Sequence, residues 1–217
     1  MNNKEDIILL FDPGHGADNN TNGKYSPILH KDEFNLDDET VYGYRFREGN
    51  FNRCIVARLV ELFKGLGVDA RDILNGDAKD VSLGERVRRV NEIVRENRGK
   101  KQVYFISVHS NAAGSDEWSN ARGLSVHCCR GCSNKAKILA QHIYDAAMPD
   151  FKGNRSVPDD KICYNGFYVL TKTSCPAVLI ENLFYTNRED LKILMSKEGR
   201  EQIAQYIYRG ICNTLFA

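Results

Sequence analysis

Three short apolar runs in this chain each end on a side chain able to bind a metal or move a proton. Ile7-Ile8-Leu9-Leu10-Phe11 leads into Asp12-Pro13-Gly14-His15-Gly16, and Val103-Tyr104-Phe105-Ile106-Ser107-Val108 into His109-Ser110-Asn111. Ala177-Val178-Leu179-Ile180 leads into Glu181-Asn182. Continuous apolar runs of this length, broken by Pro, Gly and polar residues, read as buried strands. In one sheet their ends converge, and ligands of α/β proteins bind beyond the carboxyl ends of strands. Two imidazoles and a carboxylate meeting there would supply the three protein ligands of a catalytic zinc site, leaving the fourth position for water. A single loop histidine is ordinarily a hydrogen-bonded structural residue. Two in matching positions put the metal on an equal footing, and the third ligand decides.

The candidate third ligand is Glu48, in Arg47-Glu48-Gly49-Asn50-Phe51-Asn52-Arg53. Taken alone it reads as a carboxylate at a helix start, favoured by the helix dipole. Glu33, Asp37, Asp38 and Glu39 compete with it from the polar segment just before. Glu181 has a different character. Partial burial where a buried strand meets the site raises a carboxylate's pKa towards that of a useful general base. His30, His127 and His142 lack such settings; His127 sits in a strand beside cysteines and His142 on a helix, so both read as structural.

The elements that must position these groups follow from periodicity. Residues 18–47 are polar and aperiodic, a long loop or insertion beside the site with room for a short hairpin; loops this long are usually lids or binding loops. Asn50 to Leu66 turns helical, with Phe51, Ile55, Leu59, Leu62, Phe63 and Leu66 three or four apart. Val68 to Leu74 reads as a strand, and Asp80 to Asn97 as a helix opened by Ser82 and Glu85, with Leu83, Val87, Val90 and Val94 on its inner face. Gly123 to Cys128 is a further strand. Ser133 caps a helix carrying Ile138, Ala140, His142 and Ile143. Pro149 to Asn165 is irregular, Phe167 to Leu170 and Ala177 to Ile180 are strands, and a last helix spans Lys197 to Leu215. Strands alternating with helices predict an α/β fold: one domain over 1–217, a mainly parallel twisted sheet of about six strands with helices on both faces.

Bulk properties narrow the function classes. With 217 residues, 42% of them hydrophobic and 27% charged, the chain can bury a substantial core. Thirty basic against 29 acidic residues leave no long-range attraction to nucleic acid. The start Met1-Asn2-Asn3-Lys4-Glu5-Asp6 is too short and too acidic for a signal peptide, and no stretch reads as a membrane span. Seven cysteines, an odd number, predict synthesis in a reduced compartment. Cys128-Cys129-Arg130-Gly131-Cys132 lacks a second close pair, since Cys163 and Cys175 stand alone, and reads as free thiols rather than a zinc knuckle.

Taken in order, the motifs resemble a known family. Asp-Pro-Gly-His-Gly, a glutamate with an asparagine four residues on, Phe-Ile-Ser-Val-His-Ser-Asn-Ala and Pro-Ala-Val-Leu-Ile-Glu resemble the zinc-dependent N-acetylmuramoyl-L-alanine amidases of the amidase-3 group, which includes cell-separation amidases and phage endolysins. The likeness runs from Ile7 almost to the C-terminus and takes in Arg71-Asp72, Leu83-Gly84-Glu85-Arg86 and Tyr185-Thr186-Asn187. It implies one zinc ion on His15, Glu48 and His109, with Glu181 as the catalytic glutamate. Asn111 would position the site or substrate or stabilise its loop, and Asp12 would support His15. The implied reaction is attack of an activated water on the amide between the lactyl group of N-acetylmuramic acid and L-alanine of peptidoglycan.

Two departures stand out. His15 and Glu48 lie 33 positions apart, long for the group, so a remodelled lid or groove is expected. Asn182-Leu183-Phe184 replaces the usual small or apolar residue followed by Gly-Phe. The competing readings are a metallopeptidase or other amide hydrolase using the same residues, and a non-catalytic wall-binding module, which would have no need of Glu181. Expected partners are peptidoglycan, with neither nucleic acid nor membrane; oligomeric state is left open. The chain is expected to be made in the cytoplasm and to act on the cell wall after lysis or export. The stretch between His109 and Glu181 shows no long extra helix, so an open site is expected.

Overall fold

The computed structural model describes residues 3–17, 26–114, 117–148 and 150–216. In chain order the strands and helices are β1 (Ile7–Pro13), β2 (Val41–Tyr42), β3 (Arg45–Phe46), α1 (Glu48–Gly65), β4 (Asp69–Asp72), α2 (Leu83–Glu96), β5 (Gln102–Asn111), β6 (Ser125–Cys128), α3 (Asn134–Ala147), β7 (Cys163–Tyr164), α4 (Tyr168–Thr171), β8 (Ala177–Phe184), α5 (Arg188–Met195) and α6 (Lys197–Leu215). The main sheet has the order β4-β1-β5-β8-β6-β7. β1 pairs in parallel with β4 and β5, and β5 in parallel with β8. β6 runs antiparallel to β8, which makes the sheet mainly rather than wholly parallel.

Both faces of β1, β5 and β8 are covered, which is why these strands read as continuous apolar runs. Alternate residues divide between two cores. Ile7, Leu9 and Phe11 join α1, α3 and α6 through Phe51, Phe63, Leu139, Ile203 and Ile207. Ile8 and Leu10 face α2 and α4 through Val87, Val90, Val169 and Leu170. Each such fully buried aliphatic or aromatic side chain contributes about 1.5–3 kcal/mol. The three strands at the centre are thereby held in register, and their carboxyl ends are fixed relative to one another.

The described strands and helices match the expected alternation, with local corrections. Tyr168–Thr171 forms a helical turn, not the strand expected over Phe167 to Leu170: Phe167 and Tyr168 stay exposed while Val169 and Leu170 turn inward. Short apolar runs do not distinguish the two states. Ile138 on α3 and Leu83 on α2 face solvent, not the core. α2 starts three residues later than expected because Ser82 is its cap, accepting from the Glu85 N–H. Helix α5, not anticipated, starts where the Asn187 side chain accepts from the N–H groups of Glu189 and Asp190. Residues 18–25 of the insertion lie outside the described residues; the part from Ser26 onward carries the β2–β3 hairpin, with the Phe46 N–H donating to Ser26 Oγ. All seven cysteines are free thiols. No described helix is long and apolar enough to cross a membrane.

Candidate metal centre

The tip of β1 delivers His15 in an unusual backbone conformation. Its φ is +62°, a region that costs an ordinary residue strain and persists only when the surroundings impose it. Here they do. The His15 carbonyl accepts from Arg53 Nη1 at 3.0 Å and from Arg86 Nη2 at 3.1 Å. Arg86, only 2% exposed, also donates to the Pro13 carbonyl at 2.7 Å and pairs with Asp12. Asp12 accepts in turn from the Ser107 hydroxyl at 2.7 Å. Asp12 therefore supports the His15 loop from beneath. Gly14 is needed for a different reason: a Cβ there would lie 2.1 Å from His109 Cε1.

Glu48 begins α1, buried between the two histidines. Its Oε2 lies 3.4 Å from His15 Nε2, and its Oε1 lies 3.0 Å from His109 Nδ1. The Ser110 N–H donates to the same Oε1 at 3.1 Å, fixing the carboxylate's orientation. Asn52, one helical turn on and fully buried, donates to the Gly14 carbonyl at 3.0 Å and ties α1 to the β1 tip. Gly49 lets the helix approach that loop, since a Cβ there would meet the Gly16 carbonyl at 1.9 Å.

One ligand atom from each of His15, Glu48 and His109 lies within 4.8 Å of the others. Bonds of about 2.0–2.1 Å to a tetrahedral zinc place neighbouring ligand atoms about 3.3 Å apart, close to the separations made by Glu48. Two imidazoles and a carboxylate are also the donor set such a site uses. The residues fit the ion. The competing acids lie elsewhere: Asp38 and Glu39 pair with Arg200, and Glu33 with Arg188. Among the histidines outside the cluster, His142 contacts Thr214 Oγ1, and His127 belongs to a separate network described below.

Glu181 stands directly across from His109 in the β5–β8 register. Its Oε2 is enclosed and has no hydrogen-bond partner among the described residues. Burial pushes its pKa up to about 8, aided by the charge of Glu48 and opposed by His109. His15 is lowered, by desolvation first, against the pull of Glu48. Burial also pulls His109 down, but its hydrogen bond to Glu48 and the charges of Glu48, Glu181 and Asp12 outweigh this and leave it at about 9. Glu48 is held low: the two histidines and the Ser110 N–H together overcome a large desolvation cost. The cluster opens on a cleft of about 460 Å³ lined by His15, Asp80, Leu83, Arg86, His109 and Val169. Asn111 turns its side-chain oxygen onto the Ala112 N–H at 2.8 Å.

The amidase family described as N-acetylmuramoyl-L-alanine amidase, Amidase_3, matches residues 9–213 of this chain. The chain belongs to that family. An uncharacterized cell wall amidase of Bacillus anthracis is 27% identical over 214 residues, 95% of this chain and 35% of the relative. The chain spans between 31% and 56% of the lengths of the curated relatives it matches. Among solved structures, the N-acetylmuramoyl-L-alanine amidase AmiC2 of Nostoc punctiforme is 26% identical with a TM-score of 0.72, covering 98% of both chains. The Ami1 amidase of Mycobacterium smegmatis, 20% identical with a TM-score of 0.74 and 99% coverage of both, shares the fold.

Several groups that build this amidase-family site have no signature of their own in the sequence. Arg86 falls in the Leu83-Gly84-Glu85-Arg86 stretch of the family likeness, but its buried pairing with Asp12 cannot be read from that stretch. Asn182 gives no signal beyond its place after Glu181. It donates to the His109 carbonyl at 2.7 Å and accepts from the Tyr206 hydroxyl, joining β5, β8 and α6 behind the cluster.

Proposed function

We propose that this chain hydrolyses the amide between the lactyl group of N-acetylmuramic acid and L-alanine in peptidoglycan, with one zinc ion on His15, Glu48 and His109 and with Glu181 as general base. The observation that carries the reading is the convergence of those three ligand atoms within 4.8 Å, with Glu181 opposite His109 in the sheet. When bound, the ion acidifies a water molecule and polarises the amide carbonyl. Glu181 takes the proton that the attacking water loses. Its elevated pKa suits it to hold that proton and then deliver it to the nitrogen of the departing amine. The Asp12–Arg86 pair and Asn52 keep the His15 loop and α1 in place while the reaction proceeds, as metal ligands need an oriented surround.

The test is release of new amino termini and reducing ends from purified peptidoglycan by wild type, Glu181→Ala and chelator-treated protein. New alanine amino termini without reducing ends, lost in both controls, are expected. Amino termini from another residue would indicate a peptidase acting through the same groups. No release from the wild type would overturn the reading.

A further inference from the structure

We propose that Ser125, held by His127 and Asn165, is a substrate-positioning hydrogen-bond donor beside Glu181, and that it binds the carbonyl of the L-alanine whose amine is released. This rests on the reaction proposed above. Ser125 pairs with Glu181 across the antiparallel β6–β8 ladder. Residues directly opposite in such a ladder share a face, with Cβ atoms about 4.5–5.5 Å apart.

Behind Ser125 stands a fixed relay. The Asn165 side-chain N–H donates to His127 Nδ1 at 2.7 Å, so the ring proton sits on Nε2, which donates to Ser125 Oγ at 2.8 Å. The Asn165 backbone is anchored by its N–H to the Cys128 carbonyl at 3.0 Å, and the Phe167 ring lies edge-on against His127. His127 is 7% exposed. Burial, with Arg155 and His109 next in size, presses its pKa down to about 4, which keeps the ring neutral and the direction of the relay set.

With its oxygen already accepting from His127, the Ser125 hydroxyl has a hydrogen to give. No described residue takes it, and Glu181 Oε2 is itself without a partner. A donor oriented in this way beside the general base points to an acceptor on the substrate. Glu181 returns its proton to the L-alanine nitrogen, and the L-alanine carbonyl is the first acceptor on the leaving side of that atom. The relay thus fixes where the stem peptide begins.

The experiment uses zinc-loaded full chain and two substrates: a muramoyl-L-alanyl peptide, and the analogue in which the L-alanine carbonyl is a methylene. Wild type is expected to prefer the first by about tenfold in kcat/KM, the worth of one hydrogen bond in a desolvated site. Ser125→Ala is expected to lose that preference by slowing on the first substrate only, Ser125→Thr to restore it, and His127→Phe to weaken it, all with unchanged zinc content. Equal losses on both substrates, or a preference unchanged in Ser125→Ala, would overturn the proposal. A wild type that cleaves neither substrate would overturn the reaction itself and the positioning role with it.

Discussion

Replacing Glu181 by Gln should inactivate the protein and, without metal, make it more stable. The carboxyl is raised from 4.5 to about 8, chiefly by burial, and its Oε2 has no hydrogen-bond partner among the described residues. A raised carboxyl pKa means the folded state holds its proton more tightly than the unfolded chain does. Stability is then undiminished below pH 4.5, falls as pH rises towards 8, and stays lowered above it. Each pH unit between those values is worth about 1.4 kcal/mol, which bounds the burden at about 5 kcal/mol. The value of about 8 already includes the opposing charge of His109; because Glu181 as a whole residue is only partly buried, solvent screening reduces the expected gain for Glu181→Gln to about 1–3 kcal/mol. Denaturant unfolding of chelated wild type and variant at pH 5 and pH 8.5 measures it, with the curves separating only at the higher pH. In parallel the loaded variant should lose about 10²–10⁴ of kcat, the usual contribution of a general base. A variant no more stable than wild type at pH 8.5 would refute the buried-base argument, whatever its activity.

Three further outcomes follow from the same geometry. Gly14→Ala should displace the His109 ring, because the new methyl would meet it at 2.1 Å; zinc content by atomic emission should fall below stoichiometric, with an unfolding cost of about 1–3 kcal/mol. Zinc uptake should release a proton below pH 9, since His109 is protonated there without metal and must be neutral to bind; apparent affinity should rise about tenfold per pH unit over that range, read by calorimetry in buffers of different ionisation enthalpy. With the His15 side chain 41% exposed at the cleft, peptidoglycan should be cleaved without an added activator protein, and activity that appeared only on adding one would contradict an open site.

The sequence made the sheet legible because its central strands are buried on both faces, which leaves runs such as Ile7–Phe11 with no polar interruption. It made the candidate site legible because side chains able to bind a metal or move a proton sit where those runs stop. His15, His109 and Glu181 could each be read from a strand end. Glu48 could not: a glutamate at a helix start looks the same whether it binds a metal or favours the dipole, and only the folded register puts it between the histidines. The helical turn at Tyr168–Thr171 was hidden because four apolar residues fit either state until burial is known. The roles of Arg86 and His127 were hidden for a related reason. Their importance comes from partners 74 and 38 residues away, which no local pattern records.

The departure at Asn182-Leu183 shows how a chain can leave a family's usual residues without leaving its geometry. β5 and β8 are aligned at His109 and Glu181, but Asn111 then faces Phe184, so β8 carries one extra residue at this point. The extra residue is absorbed by Leu183 at φ +58°, a conformation that glycine adopts freely and leucine only at a cost of about 1–2 kcal/mol. Leucine offsets the strain by burying its side chain to 2% exposure in the α1–α6 core, a contribution of about 1.5–3 kcal/mol. Asn182 adds the bond to the His109 carbonyl from the same bulge. Leu183→Gly should therefore destabilise by about 1–3 kcal/mol in denaturant unfolding, the cavity left by the side chain outweighing the relief of strain. A gain in stability would mean that the backbone strain, and not the packing, dominates at the turn that aims Glu181.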